Sequence, residues 1–372
     1  MSMKKLTVKL TQKGAVIIIV LWTSVLLTIL VTAMAAKVRL SAKTAAFNQE
    51  VSQQWPSLMA AINQAEMELM LEKMARPIGE QLEESDEGEL RTPAYRFNGQ
   101  PLQLNYPQAE DIVVRIYDHA GKINLNRIPR RNMQQLIETR LGGPFEADPE
   151  QVQSLVDTWT DWTDLNDIEG LNGAEKEYYE SLDQPYTPRN NPELDSVEEL
   201  LQVKGFAELF EGVNLDAAFT IFGNLRTVNF NLATREALQL LPGLDDELIE
   251  TIIGYRELED ISNQSELGEL IPFEAFQQVS AWFTATNISN VYSIYAYPKA
   301  QESGLMADEN ADDSNDPSLI ELDPVRQAYM EIVEVRSFNS LPQVYRVNPY
   351  AHLPDTAPAR LEEYAIELPR LN

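Results

Sequence analysis

From Ala15 to Ala36 the chain offers 22 almost uninterrupted apolar residues, and no charge appears until Lys37. A helix rises 1.5 Å per residue, so such a run spans roughly 33 Å, enough for a bilayer core of about 30 Å. A secretory signal has a shorter apolar region, about 7–15 residues, followed by a small-residue cleavage site. Ala33-Met34-Ala35-Ala36 mimics such a site, but the run is too long and its flank continues as a helix. Lys4, Lys5, Lys9 and Lys13 precede it without any acid, which favours a cytoplasmic N-terminus. Lys37, Arg39 and Lys43 follow it, so the asymmetry is modest. The expectation is a single membrane pass with a cytoplasmic N-terminus and the rest of the chain outside the inner membrane.

Composition narrows the chemistry available outside. The chain has no Cys, which removes disulfides, thiolate nucleophiles and thiolate metal sites. Its two histidines, His119 and His352, cannot make a multi-His zinc site. The whole-chain charge is −29; with seven Lys/Arg and no acid before residue 45, the remainder carries about −36. Such a surface repels nucleic acid and favours divalent cations or basic partners.

Helical periodicity does not end at the membrane. Phe47, Val51, Trp55, Leu58, Ala61, Ile62, Ala65, Leu69 and Met70 recur at steps of three and four, an apolar stripe for core packing. One long helix from about Ala15 to Met74 is expected, kinked or locally broken at Pro56 for want of an N–H. Pro77, Gly79 and the acidic run Glu83–Glu89 mark a loop. Strand signals follow at Ala94–Asn98, Leu102–Tyr106 and Ile112–Asp118; a turn at His119-Ala120-Gly121 predicts an antiparallel hairpin with Lys122–Leu125. Then come about 150 residues of short helices, at 131–141, 149–161, 174–182, 195–202, 206–211, 214–220, 233–240, 245–258, 265–270 and 272–285. Their starts are flagged by Asp148-Pro149, Asp195-Ser196, Ala233-Thr234 and Ile271-Pro272. Strands resume at Val291–Tyr297, Gln327–Arg336 and Val344–Val347. The economical organisation is an all-helical domain inserted into an α+β domain.

These features together resemble a family. The basic leader, Gly14 and the hydrophobic helix resemble a prepilin leader. Asp118-His119-Ala120-Gly121-Lys122-Ile123-Asn124-Leu125-Asn126, Asp161-Trp162-Thr163-Asp164, Gly173–Tyr179, Pro185–Asn190, Ser196–Leu200 and Val203–Phe206 are similar to segments of the K-type minor pseudopilins of type II secretion. The match runs from the leader to about residue 256. The resemblance implies a type IV pilin-like fold: a long N-terminal transmembrane helix plus an antiparallel sheet, with a large inserted all-α domain. Mapped here, that gives a leader (1–14), a transmembrane part (15–36), a pilin-like body in two parts (37–127 and 287–372) and the inserted domain (128–286). It implies cleavage after Gly14 by a prepilin peptidase and N-methylation of Ala15. It implies a place at the tip of a pseudopilus with I- and J-type minor pseudopilins; that the inserted domain there meets the secretin or secreted substrates is a further expectation, carried by no particular residue. Most pilins keep Glu at the fifth mature position; here that position is Ile19. A membrane carboxylate is costly unless neutralised, and its usual partner is the N-terminal amine of the next subunit. A tip subunit has no such neighbour, so Ile19 removes an unpaired charge.

The acidic cluster Asp161, Asp164, Asn166, Asp167, Glu169, Glu175 and Glu177 surrounds the loop Glu169-Gly170-Leu171-Asn172-Gly173. Calcium takes six to eight oxygen ligands, which such a loop can supply. The alternative is a solvated acidic loop anchored by Trp159, Trp162 and Tyr178. The family resemblance also implies calcium in the helical domain, and the preferred ligands are Asp161, Asp164, Asn166 and Glu175. A second acidic run, Asp308–Asp316, fits an EF-hand loop poorly, because Asp313 stands where Gly belongs and Leu319 where Glu belongs. The segment Asn229–Arg256 resembles a helix-hairpin-helix, but its hairpin carries Asp245, Asp246 and Glu247, which suits protein packing rather than phosphate. No Gly-x-Ser-x-Gly elbow or phosphate-binding glycine loop is present. His119, at a predicted turn, and His352, in a Pro-rich tail, read as surface residues, so catalysis is not expected. The competing functions are a membrane-anchored periplasmic calcium-binding hydrolase and a helix-hairpin-helix DNA-uptake factor.

Overall fold

The computed structural model describes residues 13–73, 97–101, 112–188, 191–298 and 327–354, with backbone alone for 13–17, 43–54 and 327. The expected loop at 77–89, the strand Leu102–Tyr106 and the acidic run Asp308–Asp316 lie outside these residues. Helix α1 runs from Lys13 to Glu72 and continues through Pro56. Proline removes one i→i−4 hydrogen bond, and here the helix is not interrupted at the position where a break was expected. The chain divides between Ser57 and Leu58 into two compact units. In the first, Ile18–Ala42 is long and apolar enough to cross a membrane, and none of it is buried.

The second unit begins with the last turns of α1. Strands β1 (Asn98–Pro101) and β2 (Ile112–Asp118) follow, then a single 3-10 turn at His119–Gly121 and the short β3 (Ile123–Asn124). The helical section is α2 (Arg130–Arg140), α3 (Pro149–Thr163), α4 (Lys176–Glu180), a 3-10 segment (Val197–Gln202), α5 (Phe206–Leu209), α6 (Leu215–Ala218), β4 (Phe219–Thr220), β5 (Val228–Asn229), α7 (Arg235–Gln239), α8 (Asp246–Leu258), α9 (Gln264–Leu270), α10 (Phe273–Val279) and β6 (Phe283–Thr284). Strands β7 (Val291–Pro298), β8 (Gln327–Glu334) and β9 (Gln343–His352) close the described chain. The main sheet has five strands, ordered β1-β2-β7-β8-β9, and every pairing in it is antiparallel.

Alternation along β2 sorts the two sheet faces. Ile112, Val114 and Ile116 join Ala61, Ile62, Ala65 and Leu69 of α1 in one buried cluster with Tyr292, Ile294 and Ala296 of β7. Tyr117 packs on the other face with Tyr295, Met330 and Ile332. This is the period of two meeting the period of 3.6, and each buried aliphatic side chain contributes about 1.5–3 kcal/mol. A separate cluster fills the helical section, from Ile123 to Phe283.

The expected hairpin at 119–121 does not form. Strand β2 pairs instead with β7, which lies more than 170 residues on, with Asp118 opposite Tyr292. β3 pairs in parallel with β4, and β5 with β6. Gly121 allows a close approach of the chain to residue 232: a Cβ there would stand 2.1 Å from the carbonyl oxygen of Leu232. The local turn signal was sound, but it marks where the chain leaves the sheet for the helical section.

Candidate metal centre

The site grows from the C-terminal end of α3. Asp148 caps the helix by accepting from the Glu150 N–H at 3.1 Å, and Pro149 takes the first position, where no N–H is needed. Val152, Leu155, Val156, Trp159 and Trp162 bury one face of the helix. Asp161, on the last turn, is buried too, and its Oδ2 accepts from the Gly170 and Ala174 N–H groups, both at 3.0 Å. One carboxylate on α3 therefore ties down the middle and the far end of the loop that follows it. The loop must come close to do this: a Cβ on Gly173 would stand 1.8 Å from that same oxygen. Asp164 accepts from the Asn166 N–H at 3.0 Å and Asn166 from the Ile168 N–H at 2.8 Å, two Asx turns in succession.

Glu175 completes the group. It stands at the N-cap of α4, yet its side chain makes no capping hydrogen bond. Asp161, Asp164 and Glu175 each bring a carboxylate oxygen within 4.8 Å of the others, the only such group among the described residues. Glu175 is buried, and its Oε1 has no hydrogen-bond partner. Burial, then the charges of Asp161, Asp164 and Asp167, push its carboxyl up to about 7. At such separations each pair of like charges repels by on the order of 3 kcal/mol at an effective dielectric near 20. A divalent cation removes that repulsion and gives the orphaned Oε1 a partner. The residues present therefore fit a metal ion held by oxygen ligands.

Aromatic side chains back the site, as the sequence suggests. Trp162 meets Tyr179 edge-on at 5.1 Å, and its Nε1 donates to Glu199 at 3.2 Å. Lys204 stands 4.5 Å over the Tyr178 ring and donates to the Gly173 carbonyl at 3.3 Å. The roles of Gly173 and Lys204 escape sequence reasoning. Nothing local to either residue says that Asp161 or the Tyr178 ring lies against it. Asn166 is exposed, two residues beyond Asp164.

Residues 121–210 match the family model for protein K of the type II secretion system. That match covers about a quarter of the chain. None of the curated proteins matches it. Among solved structures it is similar to a chain in the crystal structure of the GspK-GspI-GspJ complex from the enterotoxigenic Escherichia coli type 2 secretion system. The two are 13% identical with a TM-score of 0.47, over 81% of this chain and 98% of that one.

The family-matched segment holds the whole acidic group, and the motif residues at and near its start turn out to be the joints of the fold. Asp118 Oδ1 accepts from the Ala120 N–H at 2.7 Å, the Ser289 N–H at 3.0 Å and the Ser289 hydroxyl at 2.6 Å. It thus clips together the two points where the chain leaves and rejoins the sheet. His119 is not a surface residue. It is buried between the Thr220 and Ser293 hydroxyls, at 2.7 and 2.8 Å. Burial, then the charge of Lys122, hold its imidazole well below the ordinary histidine range, so it stays neutral. Lys122 is also buried, donating to the Asp216 carbonyl at 2.6 Å and to Ser293 at 3.0 Å. Asn126 accepts from the Leu194 N–H at 2.7 Å and donates to the Ile221 carbonyl at 3.0 Å. His352, by contrast, is exposed, as expected. The α7–α8 hairpin packs inward: the Cβ position of Gly243 lies 3.3 Å from Ala275 of α10, and Arg256 donates to the Phe230 and Ala233 carbonyls.

Proposed function

We propose that this minor pseudopilin of type II secretion is the tip subunit of its pseudopilus, and that it works by assembly rather than catalysis. The observation that carries the reading is the family match on residues 121–210, which begins where the chain has left β2 and lies wholly before β7. Residues 128–286 then form a helical domain inserted into a pilin-like body of residues 37–127 and 287–372. A bulk of that size would clash beneath another subunit, and Ile19 leaves no membrane carboxylate to be neutralised from above. I- and J-type minor pseudopilins are its neighbours. The helix of residues 15–36 holds the subunit in the inner membrane, N-terminus in the cytoplasm, until it is extracted. A prepilin peptidase cuts after Gly14 and methylates Ala15. The inserted domain faces the secretin or the secreted substrates.

The metal is calcium. Asp161, Asp164 and Glu175 supply carboxylate oxygens, and Asn166 adds its amide oxygen, which keeps a second lone pair beyond the bond to Ile168. Calcium here cross-links the end of α3, the loop and the start of α4; it holds structure and activates no water. The test of position uses the natural absence of cysteine. Single cysteines are placed in the helical section and paired with cysteines in neighbouring pseudopilins. Cross-links confined to subunits directly below are expected; cross-links that place the helical section at the pilus base contradict the reading.

A further inference from the structure

Strand β8 keeps its alternation but breaks its chemistry at one position. Tyr329, Val333 and Val335 belong to the buried cluster that packs the sheet on Ala61, Ile62, Ala65 and Leu69 of α1. Glu331 occupies the matching position between Tyr329 and Val333, and it is only 8% exposed. A carboxylate thus stands where the pattern calls for an apolar residue. Helix α1 has an acid at the rim of the same cluster. Glu66 lies four residues after Ile62 and three before Leu69, on the same side of the helix, and is half-buried.

Among the described residues, no hydrogen bond or ion pair reaches either carboxylate. The neighbouring elements offer no cation. Glu331 lies opposite Ile294 on β7 and Val347 on β9. Tyr329 of β8 is the other titratable group at the seam, and the charges of both Glu331 and Glu66 act on it. Glu68 of α1 is two positions beyond Glu66 and so does not share its face. The charge that acts on Glu66 is that of Glu331.

Burial raises both carboxyls. At Glu66 the charge of Glu331 adds to it, and the value moves from 4.5 to about 7. Between those values the folded chain keeps a proton that the unfolded chain has released. The stability that this proton brings is full below 4.5 and is lost as pH rises through about 7. Two desolvated carboxyls that sense one another resist double ionisation and titrate as a unit.

We propose that Glu66 and Glu331 form a proton-dependent clamp between α1 and the sheet. While the pair holds a proton it seals the seam; with both carboxyls ionised, their repulsion loosens α1 from β8.

The test is amide hydrogen exchange on the full chain in nonionic detergent micelles, corrected for intrinsic exchange. The opening constants of β8 and of α1 from Leu58 to Glu72 should rise at least tenfold between pH 5.5 and pH 8.5. In Glu66→Gln and in Glu331→Gln the rise should stay below threefold, and the double variant should change nothing further. Glu331→Leu, which completes the apolar face, should give the same flat profile, so a poorly placed amide does not decide the outcome. A flat profile in the parent, or a parent-like rise in the single variants, would overturn the proposal. So would a double variant whose effect is the product of the two single ones, because that is the behaviour of two acids buried independently.

Discussion

Glu175 and Asp118 are both buried carboxylates, and their surroundings give them opposite duties. Glu175 has like charges for neighbours, so its substitution by Gln removes repulsion and the cation's partner together. Without calcium, Glu175→Gln is expected to be at least as stable as the parent. With calcium at about 100 times its Kd, the parent should gain about 2.7 kcal/mol and the variant little. Thermal melts with calcium or chelator measure both. Gly173→Ala should lose the calcium response as well, because its methyl group displaces Asp161. Asp118 has donors for neighbours, all reaching Oδ1, with only the Ser289 N–H also 3.3 Å from Oδ2, so Asp118→Asn can keep most of the clip. Burial nevertheless raises its carboxyl from 3.8 to about 6. Between those values the folded chain holds a proton that the unfolded chain has released, so this group's contribution to stability falls as pH rises through that window. One pKa unit is about 1.4 kcal/mol, which makes the fall about 3 kcal/mol. The stability difference between parent and Asp118→Asn should therefore change between pH 4 and pH 6 and level off above; parallel curves would contradict the assignment. Ile19→Glu places a carboxylate in the bilayer at about 2.5–3.5 kcal/mol. For a tip subunit this should lower secretion, and unchanged secretion would contradict the tip position.

Elements with local signals were legible. Asp148 and Thr234 are flagged as helix starts, and each side chain accepts from an N–H two or three residues on. The alternation of β2 and the stripe at Ala61, Ile62, Ala65 and Leu69 also stood in the sequence, and they meet in one core. Leu69→Ala should cost about 2–5 kcal/mol, read from denaturant unfolding, because Leu69 is fully buried in that cluster. What the sequence hid is non-local. The two-residue parallel pairs β3–β4 and β5–β6 are too short to show periodicity, and each joins segments more than 50 residues apart. His119 reads from sequence as a surface residue because its partners, Thr220 of β4 and Ser293 of β7, are about 100 and 170 residues away. The acidic group was legible as composition, but its convergence depends on Asp161 closing the loop over Gly173, a contact that spacing alone does not reveal.

At the scale of the whole molecule, the account joins an apolar helix, a five-stranded sheet and a helical section into one assembly subunit. The polar joints at Asp118, His119 and Lys122 bind the sheet to the helical section. Arg346 of β9 adds to them by pairing with Asp216 at 2.9 Å and with Glu198. Everything proposed about assembly depends on the N-terminal helix being matured as a pilin helix rather than left as an anchor or cut as a signal. N-terminal sequencing of the protein recovered from secreting cells tests this most directly. The account predicts a chain that starts at Ala15, methylated, and reverts to the uncut chain when the prepilin peptidase is absent. A mature chain beginning near Lys37, or an uncut chain in cells with active peptidase, would contradict it.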